Sequence, residues 1–593
     1  MSISVPPRSR AQESRAAIER IYVIMRHLFV RGHYKPDGIS GSALSEALLT
    51  LQPEIYGSMA DSEKVELNGL AYVIARLPRG IERCRFIQLI AAEGYKNSGF
   101  EKIVPAKRRR NCYRIDEETM LIEITRGRSE IYDILTHLTF MYIEADKIRA
   151  HALDEGHPTQ EWIKLEKIVF GQTSTASPSP STEELEVREQ AISYASTLLG
   201  RTFEETLESE RRFRQGEPDN NSLFQIVYWL GRLAIEEMQH HGAYKPSPSS
   251  VGTSPHKDRQ ITFSSALRER IGHHIHGEKW ATEVKEFLWS RNLWQRPLHI
   301  ISANLHSIMN CLYALPALKQ KMAGEKTIEA IARELSLPEN ANLNQEVLEF
   351  AREHGMYYLE DRAGTNTHVQ IFDTSLLPFD LLSPELKLDR ALVEEDKPVI
   401  LVMDYAFGEQ AFELFDELLK PYKIEGKSQK LNLYSISVTG KAGTLVGNQG
   451  DLMLPTAHIF EGTADNYPFE NEMSRQDFQE TKIPVHQGAL LTVLGTSLQN
   501  ADVLNYFKSS SWNVIGLEME GAHLQKAIQA AAKIRKSIDE NVILRYVYYA
   551  SDNPLMTGST LASGSLGQTG VKPTYAIATR FLHKIFSHLK SEK

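Results

Sequence analysis

Through the first two thirds of the chain, apolar residues recur every three or four positions, the spacing that gives a helix one apolar face. Ile18, Ile21, Tyr22, Met25, Leu28 and Phe29 predict a first helix, and Gly32 stands where a left-handed C-terminal cap is needed. Ile131, Ile134, Leu135, Leu138, Met141, Tyr142 and Ala145 predict another, Phe224, Val227, Leu230, Leu233 and Ala234 a third, and residues 327–350 a further helical region. In the last third the period changes. Pro398-Val-Ile-Leu-Val-Met403 is a continuous apolar run, as a strand buried on both faces requires. The loop Asp404 to Gln410 follows, and then Phe412, Leu414, Phe415, Leu418 and Leu419 return to helical spacing. Leu431 to Val438 predicts the next strand, and the two patterns alternate as far as Ile585. This alternation predicts an α/β sheet with helices on both faces, behind a mainly α-helical N-terminal region.

At 593 residues the chain exceeds what one core normally supports. Gly171 to Glu183 is Ser, Thr and Pro with almost no apolar residue, which is linker composition. The expected organisation is a helical domain over 1–170, a mainly helical middle domain over 183–390 and an α/β domain over 391–593, opening at the acidic stretch Glu394-Glu-Asp396. Residues 1–15 and Pro246 to Lys257 are expected to be mobile. The net charge of −9 speaks against a nucleic-acid-binding surface, which needs clustered Lys and Arg, but is compatible with a small anionic ligand. Cys84, Cys112 and Cys311 lack metal-ligand spacing and form no disulfide framework, which points to a reducing cytoplasm and to no metal or cofactor. The N-terminus has no apolar signal region, and no stretch approaches the ~20 apolar residues of a membrane span, so no membrane partner is expected.

Four polar groupings in the N-terminal two thirds read as structural. Lys107-Arg-Arg-Arg110 is expected in a solvated surface loop, Glu237 and His240 at a solvent-facing helix end, and His273-His-Ile-His276 as an exposed cluster. His299, Ser302, His306 and Asn310 fall near one face of a predicted helix over 299–313 and suggest a hydrogen-bonded interior seam.

The chemistry is concentrated near the C-terminus. Val514-Ile-Gly-Leu-Glu518-Met519-Glu520-Gly-Ala predicts a strand that delivers two carboxylates where a helix begins, and Tyr546 to Ala550 predicts a strand with Ser551-Asp552 at its edge. Ligands of open α/β sheets bind at such strand ends. Carboxylate clusters there suit general-acid work and the binding of a polyol.

These residues resemble the nucleoside phosphorylase and nucleosidase superfamily, with its Glu-Met-Glu triplet followed by Ser-Asp. Upstream and in the same order, Val438-Thr-Gly440-Lys441-Ala-Gly443-Thr444-Leu resembles the family's Gly-x-Ala-Gly turn, and Gly450-Asp451-Leu-Met-Leu-Pro455 its Gly-Asp-hydrophobic run. The tail Ser551-Asp-Asn-Pro-Leu555 with Gly567-Gln568 is most similar to the AMP nucleosidase branch. The resemblance covers 395–590 and implies a nucleoside phosphorylase-like α/β sandwich, a purine nucleotide or nucleoside substrate and a homo-oligomer. By resemblance, Asp552 protonates or hydrogen-bonds purine N7, Glu520 accepts from the 2′ and 3′ hydroxyls, Met519 packs under the sugar and Glu518 supports Glu520 or its water. Gly440, Gly443 and Ser551 belong to the binding motifs, Tyr467 is a substitute platform for the base, and Lys441, Thr444 and Lys572 are candidates for a 5′-phosphate.

One departure from the family sets the expected reaction. Phosphorylases hold inorganic phosphate with arginines, whereas the loop Asp404 to Gln410, read as the first loop, has no Arg and carries Asp404 and Glu409. That favours water as the nucleophile and predicts hydrolysis, most simply of AMP to adenine and ribose 5-phosphate. The alternatives are a purine nucleosidase, a true phosphorylase, or a non-catalytic nucleotide sensor with a helical half that binds a protein.

Overall fold

A computed structural model describes residues 8–108, 110–171, 182–215, 222–240, 258–272, 274–319, 321, 327–424, 426–463, 465–556 and 566–587. The linker 172–181 and all of Pro246 to Lys257 lie outside the described residues. The chain divides into two compact units. The first comprises Met1–Thr125, Glu130–Gly272 and Ser497–Asn500, and the second Arg126–Ser129, His273–Thr496 and Ala501–Lys593. The division therefore falls near 272, whereas composition placed boundaries near 171 and 391. Linker-like composition marks what a segment cannot bury, and the strand Leu298–Ser302 shows from the other side why 391 is not a boundary: it is hydrogen-bonded into the same sheet as Val399–Met403.

In the first unit the helix Arg10–Arg31 ends at Gly32, whose φ of 77° lets its N–H reach the Leu28 carbonyl. Among the described residues this unit also carries a six-stranded sheet that helical periodicity did not disclose. Its central strands Phe86–Ile90, Thr119–Glu123 and Gln260–Phe263 are at most five residues long, too short to declare a period. Two structural readings are corrected here. Arg108 and Arg110 do not lie in a solvated loop: both bond the buried Asp133, at 3.2 and 3.3 Å, and hold its carboxyl well below the usual range, together with His137. Glu237 is not at a solvent-facing helix end but buried and paired through two bonds with the buried Arg259, as a buried charge must be.

The second unit is built on a ten-stranded mixed sheet among the described residues. From one edge the order is Met356–Leu359, Val369–Asp373, Val399–Met403, Leu298–Ser302, Leu433–Thr444, Val514–Glu518, Val485–Thr492, Leu452–Phe460 and Asn466–Pro468. The strand Ile543–Asp552 pairs with both Leu433–Thr444 and Leu452–Phe460. Alternation along one strand explains the continuous apolar run: Val399, Leu401 and Met403 pack into one core with the helices Ile275–Ser290, Gln410–Leu418 and Gly521–Gln529. Ile400 and Val402 point into the other, with Leu305–Leu318, Ile328–Leu335 and Val571–Ser587.

The stretch 299–313, predicted as one helix, is instead the strand Leu298–Ser302 and the helix Leu305–Leu318. Asn304 separates them by capping the helix, its Oδ1 accepting from the Ser307 N–H at 2.8 Å. A short run with both faces covered carries no period that tells strand from helix. The polar ends of that stretch do find interior partners: His299 Nδ1 and Ser435 Oγ lie 2.7 Å apart, and Asn310 Nδ2 donates to the Tyr575 hydroxyl at 2.8 Å.

Four strands, Val399–Met403, Leu298–Ser302, Leu433–Thr444 and Ile543–Asp552, run parallel as neighbours. Their C-terminal ends share one edge, which is where the candidate residues gather. Among the described residues no helix is long and apolar enough to cross a membrane.

Candidate active site

Gly443 is the hub of the site. It pairs with Leu517 on one side and with Asp552 on the other. Glu518 and Asp552 thus stand about two ladder spacings apart, roughly 10 Å across the sheet. The register slips at this point, Ala442 facing Ala550 and Gly443 facing Asp552, so Ser551 is the extra residue of a bulge. Bulges of this kind re-aim the next side chain. The Ser551 hydroxyl lies 3.2 Å from the Ala442 carbonyl and also bonds Asp552 Oδ1, which ties the buried Asp552 to the turn that resembles the family's Gly-x-Ala-Gly segment.

Glu518 ends its strand fully inside the protein. Its Oε1 accepts from the Thr492 hydroxyl and its Oε2 from the N–H groups of Glu520 and Gly521, which cap the helix Gly521–Gln529. Burial pushes this carboxyl up to about 7, against those hydrogen bonds. With both oxygens engaged, it is placed to hold the neighbouring backbone rather than a ligand. Gly521 is needed beside it for close approach: a Cβ there would stand 2.1 Å from the ring of the buried His458 and 2.8 Å from Glu518 Oε1.

Glu520 faces another loop. Its Oε1 accepts from the Gly408 N–H at 2.9 Å, and Met519 Cε lies 3.9 Å from the point where a Gly408 Cβ would stand. Gly408 has φ 56° and would drive a side chain into Ser129, so glycine is required there. Burial, and then the Glu518 charge, push the Glu520 carboxyl up to about 8. The folded protein holds this proton between pH ~4.5 and ~8 while the unfolded chain releases it, so stability is present below that window and is lost as pH rises through it. Glu520→Gln should therefore melt higher than the native protein at pH 9, with the gap closing toward pH 5; equal melting temperatures at pH 9 would contradict the burial argument.

The structure distributes the remaining predicted residues unevenly. Gly440 lies on the site edge, its missing Cβ 3.6 Å from the Tyr405 ring and 4.0 Å from Tyr548. Lys441 is exposed beside it, and Lys572 lies half-buried in the first turn of Val571–Ser587. Thr444 is buried with its hydroxyl donated to the Val446 carbonyl, so it is not placed to hold a phosphate. Tyr467 sits on the edge strand Asn466–Pro468, edge-on to Phe460.

Three residues escaped sequence reasoning. Tyr405, 41% exposed where Val399–Met403 ends, offers an aromatic face next to Gly440; its signal was present as a lone tyrosine after a strand. Arg128 and Ser129 had no local signal. Arg128 Nη1 lies 3.1 Å from Glu409 Oε1, and the Ser129 Oγ accepts from the Glu409 N–H at 3.0 Å, although the partners are 281 and 280 positions apart. The loop 404–410 is also not the first of the sheet, since Leu298–Ser302 precedes it; the loop after that strand, Ala303-Asn304, has no arginine either.

His274, Asp416 and Glu417 bring potential metal-ligand atoms within 4.8 Å of one another. Arg535 pairs with Asp416 at 2.6 Å and Lys420 with Glu417 at 2.6 Å, so these carboxylates already have cations.

Several solved structures are similar to this chain. Futalosine hydrolase of Helicobacter pylori strain 26695 is 11% identical with a TM-score of 0.29, covering 49% of this chain and 97% of its own. The 5′-methylthioadenosine/S-adenosyl homocysteine nucleosidase of Campylobacter jejuni is 12% identical with a TM-score of 0.29, covering 48% of this chain and 97% of its own. The 5′-methylthioadenosine nucleosidase of Arabidopsis thaliana is 11% identical with a TM-score of 0.29, covering 49% and 96%. No curated protein matches the chain. A family model described as "Family of unknown function (DUF6909)" matches residues 42–215 and 331–587, more than half of the sequence, and the chain belongs to that family.

Proposed function

We propose that the second unit is a nucleoside phosphorylase-like domain that cleaves the N-glycosidic bond of a purine nucleotide or nucleoside with water, AMP being the first substrate to try. The observation that carries the reading is the pairing of Gly443 with Leu517 and Asp552, by which the strands ending in Glu518-Met519-Glu520 and in Ser551-Asp552 flank the strand that carries Gly443. Cleavage leaves positive charge on the sugar and negative charge on the base. Glu520 is the group for the sugar hydroxyls and its developing charge, Met519 packs under the ring, and Asp552 supplies the proton or hydrogen bond at the base. Tyr405 offers the base a platform, in place of Tyr467 at the sheet edge. The choice of AMP rests on the likeness of the Ser551 to Leu555 tail to the AMP nucleosidase branch.

The test is product analysis on a panel of purine nucleotides and nucleosides, with and without inorganic phosphate. Free base and the free sugar or sugar 5-phosphate should appear without phosphate. Strict dependence on phosphate, with ribose 1-phosphate from a nucleoside or ribose 1,5-bisphosphate from a nucleotide as product, would establish a phosphorylase instead. Tight binding with no cleavage of any panel member would establish a non-catalytic sensor.

A further inference from the structure

From the way the bulge at Ser551 is held, we infer that Gln449 is a positioning residue for Asp552, fixing the register that aims the carboxyl group into the site. The inference rests on the N-glycosidase reading, which assigns the base to Asp552, and adds the group that keeps Asp552 in place.

Side chains alternate between the two faces of a strand, so a slip of one residue turns every following side chain to the opposite face. From Ile543 to Ala550 each residue faces one residue of Leu433–Thr444, and only the extra residue Ser551 brings Asp552 opposite Gly443. With Ser551 opposite Gly443 instead, the Asp552 side chain would point to the other face. The aim of the carboxyl group therefore depends on Ser551 staying out of the ladder. A bulge leaves its extra residue unpaired in the ladder. Ser551 is buried, where a backbone carbonyl must find a partner. Gln449 supplies one: its Nε2 donates to the Ser551 carbonyl at 2.9 Å.

Gln449 is an exposed residue of the turn that precedes Leu452–Phe460, and the turn is anchored on two sides. The Gly450 N–H donates to the Ala550 carbonyl and the Ala550 N–H to the Asp451 carbonyl, both at 2.8 Å, which holds the strand immediately before the bulge. Asp451 Oδ2 accepts from the Asn448 N–H at 2.9 Å and lies 2.9 Å from His486 Nε2, which ties the turn to the strand Val485–Thr492. Two contacts on Ser551 thus divide the task. Its hydroxyl bonds the Asp552 carboxyl group, and Gln449 holds its main chain.

The test is a double-mutant cycle on the full chain, timed as single-turnover cleavage of whichever panel member the native protein cleaves. Gln449→Met keeps the length of the side chain and removes its N–H. It should slow cleavage by about 10-fold or more with purine ligand binding little changed, since misplacing a reacting group by about an ångström costs up to about 10²-fold. In the Asp552→Asn background the same substitution should change the rate by less than about 2-fold, because substitutions that act through one group are not additive. Gln449→Ala should repeat both results. A merely structural Gln449 would slow both backgrounds by the same factor. Native rates in Gln449→Met, or equal factors in the two backgrounds, overturn the inference while leaving the N-glycosidase reading intact. Absence of cleavage by the native protein overturns both. Should Asp552→Asn cleave too slowly to time, amide hydrogen exchange over residues 547–555 decides. Faster exchange there in Gln449→Met than in the native protein supports the inference, and equal exchange overturns it.

Discussion

Asp552→Asn should reduce single-turnover cleavage by about 10²- to 10⁴-fold, the range typical of removing a general acid, while purine ligand binding changes far less. Asparagine keeps the shape of the side chain and can still receive the Ser551 hydroxyl, so the bulge that aims position 552 should persist. On the proposed reading, what is lost is the proton for the departing base. A substrate whose base leaves without protonation should accordingly be hurt least. The measurement pairs single-turnover rates with equilibrium binding on native and variant protein, with thermal melting as the control. Similar rates in both would remove Asp552 from the chemistry.

Glu520→Gln should cost about 10²-fold or more in kcat above pH ~8, where the Glu520 carboxyl is ionised, as expected when one charged partner at a reacting centre is neutralised, and less at neutral pH, where the carboxyl holds its proton. The amide oxygen can still accept from the Gly408 N–H, so the loop stays in place and the loss reports on charge. The native protein should also use a 2′-deoxy substrate poorly, because Glu520 would lose a hydroxyl partner. Equal turnover of ribo and deoxy substrates would show that Glu520 does not bind the sugar.

The sequence was most legible where one physical constraint acts alone. The run at Val399 to Met403 declared a two-sided strand, and the acidic residues after Leu517 and Ala550 declared strand ends, because burial on both faces and carboxylates at a sheet edge each leave a local mark. It was ambiguous at Ile300 and Ile301, where full burial erases the period that separates helix from strand. It was silent about Arg128 and Ser129, since nothing near position 128 mentions a loop near position 409. It misled at Arg108 and Arg110 and at Glu237, which are drawn inward because their partners, Asp133 and Arg259, come from elsewhere in the chain. Thr444 shows the same limit at smaller scale: a motif supplies a hydroxyl, and only the fold shows that a carbonyl two residues on consumes it.

The account stands or falls on water attacking the anomeric carbon of a purine nucleotide or nucleoside. The direct measurement is a reaction of native protein with AMP and the rest of the panel in heavy-oxygen water, free of inorganic phosphate, followed by mass spectrometry of the products. The account predicts free base together with a sugar that carries one heavy oxygen at its anomeric carbon, above the level that unlabelled sugar gains by solvent exchange over the same interval. Sugar without the label, or no base released from any purine substrate while the protein remains folded, would contradict it.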